Sequence, residues 1–156
     1  MKILFICTHN RCRSILAEAI CRHYAKGSIE SASAGSEPSG EVHPLSIKAL
    51  RSHGINSDNL RSESWHVYEA WQPDVVITVC DSAAAEICPL WMGNALKVHW
   101  GLADPSRLQG SEAEIDQAFR HTINVLARRV EYLVEQAAHQ QPSALWPALF
   151  KQAEQR

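Results

Sequence analysis

Cys7-Thr8-His9-Asn10-Arg11-Cys12-Arg13-Ser14 is the stretch on which the fold turns. It follows an apolar run centred on Ile3-Leu4-Phe5-Ile6 and opens onto an amphipathic segment at Ser14, the order of a strand, a loop and a helix. A loop squeezed between a parallel strand and a helix N-terminus turns successive backbone N–H groups toward one point, and the helix dipole adds partial positive charge there. Such a loop cradles an oxyanion. Cys7 ends the strand, so an anion in the cradle lies over its sulfur, while Arg13, six residues on, can fork two donors onto the same oxygens. The same field favours the thiolate form of Cys7. A lone cysteine at a strand end is usually a small buried hydrophobe, but the spacing to arginine, the closing serine and the immediate helix make a sharper signal.

The chain has 156 residues, 46% of them hydrophobic and 21% charged, which suits one domain with one core and argues against disorder. A formal charge of −2 gives no reason to expect nucleic acid as a partner. No run of about 18 apolar residues suggests a membrane span, and the N-terminus lacks a signal-peptide pattern, so a cytoplasmic, soluble protein is expected. The five cysteines are an odd number in such a chain, which favours reactive thiols over a structural disulfide framework.

Outward from the cradle, residues 14–26 read as the first crossover helix, stopped by Gly27. Cys21 and His23 on that helix read as structural. Residues 28–34 read as a second strand, followed by turn material from Ser36 to Gly40. Residues 43–53 read as a helix with Pro44 in its first turn and Gly54 just past its end. Ser64 is a candidate N-cap for a short helix reaching Trp71. Asp74-Val75-Val76-Ile77-Thr78-Val79-Cys80 is β-branched without alternation, the pattern of a strand buried on both faces. Ala95 to His99 reads as a fourth strand, and a long apolar face (Ile115, Phe119, Ile123, Leu126, Val130, Leu133) carries a helix from Ser111 to about residue 140. Strands separated by helical stretches imply a flavodoxin-like three-layer α/β sandwich around a central four-stranded parallel sheet, with its site at the carboxyl ends of the strands. Residues 1–140 form the expected domain. Residues 142–156 form a tail, either a short helix packed back or a docking segment.

Three motifs together resemble the low-molecular-weight protein tyrosine phosphatase family and, within it, thioredoxin-coupled arsenate reductases. Asn10, Cys12, Arg13 and Ser14 fall on the family's Cys-x-Gly-Asn-x-Cys-Arg-Ser pattern, with His9 standing where the family has glycine. The cost of any positive φ at that position then falls on a histidine. Asp104-Pro105 after His99-Trp100-Gly101 matches the family's general-acid loop. Cys80 and Cys88, the latter followed by Pro89, match the cysteine pair that sets the reductases apart from ordinary phosphatases.

The resemblance implies that Cys7 attacks arsenate, held by Arg13 and by Thr8, His9, Asn10, Arg11, Cys12 and Ser14 of the cradle, while Asp104 serves as proton donor. Cys80 and Cys88 then relay the disulfide outward to thioredoxin or glutaredoxin. Phosphate and sulfate would mimic the substrate. No catalytic metal is implied, although relatives are reported to bind potassium through positions matching Asn10, Glu18 and Ser33. The alternative is a phosphatase that hydrolyses phosphomonoesters through a Cys7 phosphoenzyme. A non-enzymatic redox sensor is the rival of a different class. Residues 81–88 have good helix propensity, and residues 81–92 are expected to be a mobile switch, helical or compact when reduced and remodelled when oxidised, its two thiols too far apart to bond if the segment is helical.

Overall fold

A computed structural model describes residues 1–137 and 139–156. Four strands, β1 (Lys2–Ile6), β2 (Glu30–Ala34), β3 (Val75–Thr78) and β4 (Leu96–His99), form one sheet in the order β2-β1-β3-β4, and every pairing is parallel. The chain therefore crosses one way from β1 to β2 and the other way to β3, leaving the carboxyl end of β1 at the topological switch point where α/β sheets bind their ligands. Ile3, Leu4, Phe5 and Ile6 are fully buried, as expected for a strand covered on both faces, whereas β4 alternates between half-buried and exposed as an edge strand does.

The helices flank this sheet. Helix α1 (Arg13–Ala25) ends on Lys26 in the left-handed conformation (φ 48) with Gly27 behind it. Helix α2 (Pro44–Ser52) starts on Pro44, and His43 caps it by accepting Leu45 N–H on its Nδ1 at 3.1 Å. Ser64 caps a 3₁₀ turn over Trp65–Tyr68 that stops short of the expected Trp71. Helix α3 is confined to Asp81–Ala85, and α4 runs over Glu112–Ala137, packing on α1 and α2. The expected reach of α4 to about residue 140 includes Ala138, which lies outside the described residues.

Residues 142–156 pack back as a 3₁₀ turn and a helix, α5 (Trp146–Glu154). Leu149, Phe150 and Ala153 of α5 are buried, and the helix lies against α4 and β4. Phe150 sits 6.2 Å from the Trp100 ring, which in turn is 6.3 Å from Phe5. Trp100 also donates its indole N–H to the Phe150 carbonyl at 3.4 Å. The tail thus covers the residue that leads into the Gly101–Asp104 loop. Among the described residues, no helix is long and apolar enough to cross a membrane.

Candidate active site

The loop after β1 is shaped by where its carbonyls go. Thr8 C=O accepts from Glu37 N–H (2.9 Å), His9 C=O from Ser39 N–H (3.0 Å) and Arg11 C=O from His43 N–H (2.9 Å), all on the connection between β2 and α2. Carbonyls turned outward leave the peptide N–H groups of the loop to face inward, the arrangement that holds an anion. Helix α1 then begins with no side-chain cap at Cys12 and no acidic residue in its first turn, so its first N–H groups are left for a ligand.

The left-handed turn in this loop falls on Asn10 (φ 46) rather than on His9, contrary to the position expected from the family glycine. Asparagine tolerates that region because its short side chain bonds locally. Here Asn10 Oδ1 accepts from Glu63 N–H at 2.7 Å and Nδ2 donates to Ser14 Oγ at 2.8 Å. His9 turns its ring outward, with Nδ1 3.0 Å from the Glu37 carbonyl.

Gly35 is where another chain segment must pass against the loop. A Cβ there would stand 2.5 Å from the Thr8 carbonyl oxygen and 2.8 Å from that of Cys7, neither of which can retreat without moving the cradle. Gly35→Ala is expected to destabilise the protein by about 1–3 kcal/mol. Phosphate affinity should weaken in parallel, and a variant with unchanged denaturation midpoint and unchanged phosphate affinity would contradict this packing.

One cavity is lined by Cys7, Cys12, Arg13, Cys80 and Asp104, together with Thr8, His9 and Arg11. Cys7 Sγ lies 2.9 Å from Ser14 Oγ. Because Ser14 Oγ already accepts from Asn10, its own hydrogen is free to point at the sulfur. Arg13 Nη1 donates to the Leu102 carbonyl at 2.8 Å and Nη2 stands 3.5 Å from Asp104 Oδ2, so the guanidinium joins the cradle to the Asp104 loop. Asp104 Oδ1 accepts from Ser106 N–H and Oγ–H at 3.0 and 2.6 Å, which fixes the carboxylate at the head of a 3₁₀ turn. Burial pushes the Cys12 thiol up to about 12, so this cysteine stays protonated in spite of its place in the loop.

Cys80 is buried just beyond β3, its sulfur 3.8 Å from Thr8 Oγ1 and 3.4 Å from Ala83 N–H, which it accepts as the N-cap of α3. The helix expected over residues 81–88 stops at Ala85. Glu86 is extended (ψ 150) and receives the Thr8 hydroxyl on Oε1 at 3.0 Å, and Cys88 precedes Pro89, which disfavours helical geometry before it. Cys88 is half-buried, outside the cavity lining, and flanked by Ile87 and Leu90, which are 94% and 98% exposed. Sequence reasoning gave no sign of the Glu86 contact, which joins residues 78 positions apart. It also gave none of His43, which reaches the cavity rim while capping α2. Burial, with Arg11 nearby, holds the His43 imidazole below its ordinary range, so at neutral pH it is uncharged.

A potassium ion does not fit the donor set at Asn10, Glu18 and Ser33. Asn10 Oδ1 is committed to Glu63 N–H, Glu18 Oε2 accepts from Ser33 Oγ at 2.5 Å, and Oε1 is already paired with the Arg22 guanidinium. A second cation there would meet a positive charge instead of open oxygens.

A Cys-x5-Arg cradle at the switch point of a parallel sheet, with an aspartate loop facing it, defines a thiol-based oxyanion enzyme fold. Residues 2–143 match the model of the family described as low molecular weight phosphotyrosine protein phosphatase, and the chain belongs to that family. An arsenate reductase of Shouchella clausii is 33% identical over 133 residues, covering 85% of this chain and 94% of its own. One of Staphylococcus xylosus is 39% identical over 110 residues, covering 70% and 82%. A solved arsenate reductase in the phosphate binding state superposes with a TM-score of 0.72 at 29% identity, covering 87% of this chain and 98% of that one. A thioredoxin-dependent arsenate reductase of Corynebacterium glutamicum gives 0.68 at 28% identity, covering 90% of this chain and 63% of the other.

Proposed function

We infer that this chain is an arsenate reductase that converts arsenate to arsenite through three thiols in series. The observation that carries the reading is the position of Cys80, whose sulfur approaches Thr8 of the cradle from the end of the strand next to β1. Phosphoester hydrolysis uses Cys7, Arg13 and Asp104 and has no work for a second thiol there.

Reduction needs two electrons, and one thiolate can only form an adduct. Cys7 Sγ attacks arsenic, a hydroxide departs as water with a proton from Asp104, and the loop N–H groups with Arg13 hold the remaining oxygens. Cys80 then attacks the Cys7 sulfur. The sulfur–arsenic electron pair leaves with arsenic as arsenite, and a Cys7–Cys80 disulfide remains. Attack of Cys88 on the Cys80 sulfur frees Cys7 and moves the disulfide to Cys80–Cys88, which an external dithiol reduces. Thioredoxin is the reductant proposed, by likeness to the Corynebacterium glutamicum protein, with glutaredoxin as the comparison.

The test is arsenite release under steady-state conditions with each reductant in turn. Hydrolysis of a phosphomonoester with no arsenite formed under either reductant would replace this reading with a phosphatase. Because Arg13 spans the Leu102 carbonyl and Asp104 with separate nitrogens, a lysine cannot make both contacts. Arg13→Lys is therefore expected to lower kcat/KM nearly as far as Arg13→Ala, by about 2 kcal/mol or more. Near-normal efficiency in the lysine variant would mean that charge alone suffices.

A further inference from the structure

Glu18 is a charged side chain beneath the cradle that the reaction leaves unused. It lies on α1 one turn after Ser14 and is 7% exposed. Burial pushes its carboxyl above the ordinary carboxylate range, while Ser33 and Arg22 pull it back and Glu63 adds a further push. A carboxylate so placed needs a positive partner.

The partner comes from the same helix. Arg22 Nη2 lies 2.5 Å from Glu18 Oε1, four residues along α1, and its Nη1 donates to the Asp58 carbonyl at 3.1 Å, so the guanidinium is held from two sides. On the other side, Ser33 of β2 donates to Oε2, and Ser31 Oγ donates to the Glu18 carbonyl at 3.2 Å. Ser33 pairs in register with Phe5, and the next residue, Ala34, accepts Cys7 N–H. Glu18 therefore ties the helix that carries Arg13 and Ser14 to the strand that anchors Cys7.

We propose that Arg22 is a built-in counter-cation for Glu18, a positioning residue that holds α1 against β2 and keeps the cradle in register without a potassium ion. A potassium ion would have to be drawn from solution to do this work, whereas a guanidinium fixed to the helix needs no binding step and is indifferent to which monovalent salt is present. The proposal rests on the cradle being the oxyanion site of the inferred reductase, but its test needs no turnover.

Thermal melting and phosphate affinity are compared in potassium chloride and in choline chloride at one ionic strength, for the wild type, Arg22→Gln and Arg22→Lys. The wild type and Arg22→Lys should give the same values in both salts. Arg22→Gln should melt about 2–4 °C lower in choline chloride and bind phosphate about fivefold more weakly there, with potassium chloride restoring part of both losses. A wild type that melts higher in potassium than in choline overturns the proposal. So does an Arg22→Gln protein that loses nothing, or whose losses potassium fails to repair, since Arg22 would then be an ordinary helix ion pair. Failure of arsenate turnover in the wild type would remove the reductase reading and leave this comparison to stand on its own result.

Discussion

A Cys88→Ser protein is expected to release arsenite once and stop, with Cys7 and Cys80 joined by a disulfide. Serine cannot attack a disulfide under these conditions, so Cys80 keeps its bond to Cys7 and the cradle stays blocked. Two contacts describe what the segment must give up to reach that state. Cys80 Sγ caps α3 through Ala83 N–H, and Glu86 is bonded to Thr8 at the mouth of the cradle. When Cys80 turns to Cys7, the cap is withdrawn from a helix of only five residues, far below the length at which a helix stands unaided. Ile87 and Leu90 bury almost nothing, so little apolar contact resists the opening. Closing Cys80 onto Cys88 then requires their Cα atoms within about 7 Å. Release of Glu86 from Thr8 frees the chain between them to fold over. Peptide mass mapping after one addition of arsenate should find the Cys7–Cys80 pair in Cys88→Ser and the Cys80–Cys88 pair in the wild type. Hydrogen exchange over residues 81–92 should rise on oxidation. If Cys88→Ser cycled normally with thioredoxin, a two-thiol mechanism with an outside thiol would take its place.

The sheet was legible in the sequence because its signals are local and redundant. The β-branched run before Cys80 and the apolar run before Cys7 each announce a strand without help from the rest of the chain, and Pro44, Gly27 and Gly54 punctuate the helices. The cradle was legible for a related reason, since its residues are contiguous and the strand and helix on either side fix its form. The relay segment was legible only in part. Helix propensity for Ala83-Ala84-Ala85-Glu86 is real, yet a tertiary bond from Glu86 to Thr8 and the proline after Cys88 end α3 early. Propensity speaks only for the chain alone. The tail carried even less information, because Phe150 finds its place only through Trp100, itself set by β4 and the 3₁₀ turn after it. The Glu18 pairing shows the same limit from another side. An arginine four residues after a glutamate usually marks a solvated helix face, and only the burial of Glu18 against Ser33 gives the pair a different weight.

Cys7→Ser should abolish arsenite release, lowering the rate by about 10³-fold or more, while leaving the affinity for phosphate close to that of the wild type. The two effects separate because the sulfur and the anion are held by different groups. The oxygens are met by the N–H groups of the loop and by Arg13, all of which survive the substitution. The attacking atom is the one group replaced, and a serine hydroxyl in its place is a far weaker nucleophile than a cysteine thiol. Selective alkylation in the wild type checks the same assignment by another route. Burial pushes both Cys12 and Cys21 up to about 12, so at pH 7 to 9 each remains a thiol, shielded from reagent and nearly devoid of thiolate. Cys7 lines the cavity beside the uncapped N-terminus of α1, with the Ser14 hydroxyl 2.9 Å from its sulfur. Iodoacetamide should therefore label Cys7 ahead of Cys12 and Cys21 at neutral pH, phosphate should protect it by filling the cradle, and the label should vanish from that peptide in Cys7→Ser. A Cys7 peptide that labelled no faster than those of Cys12 and Cys21 and ignored phosphate would count against the assignment, and the cradle would lose its role in activating the nucleophile.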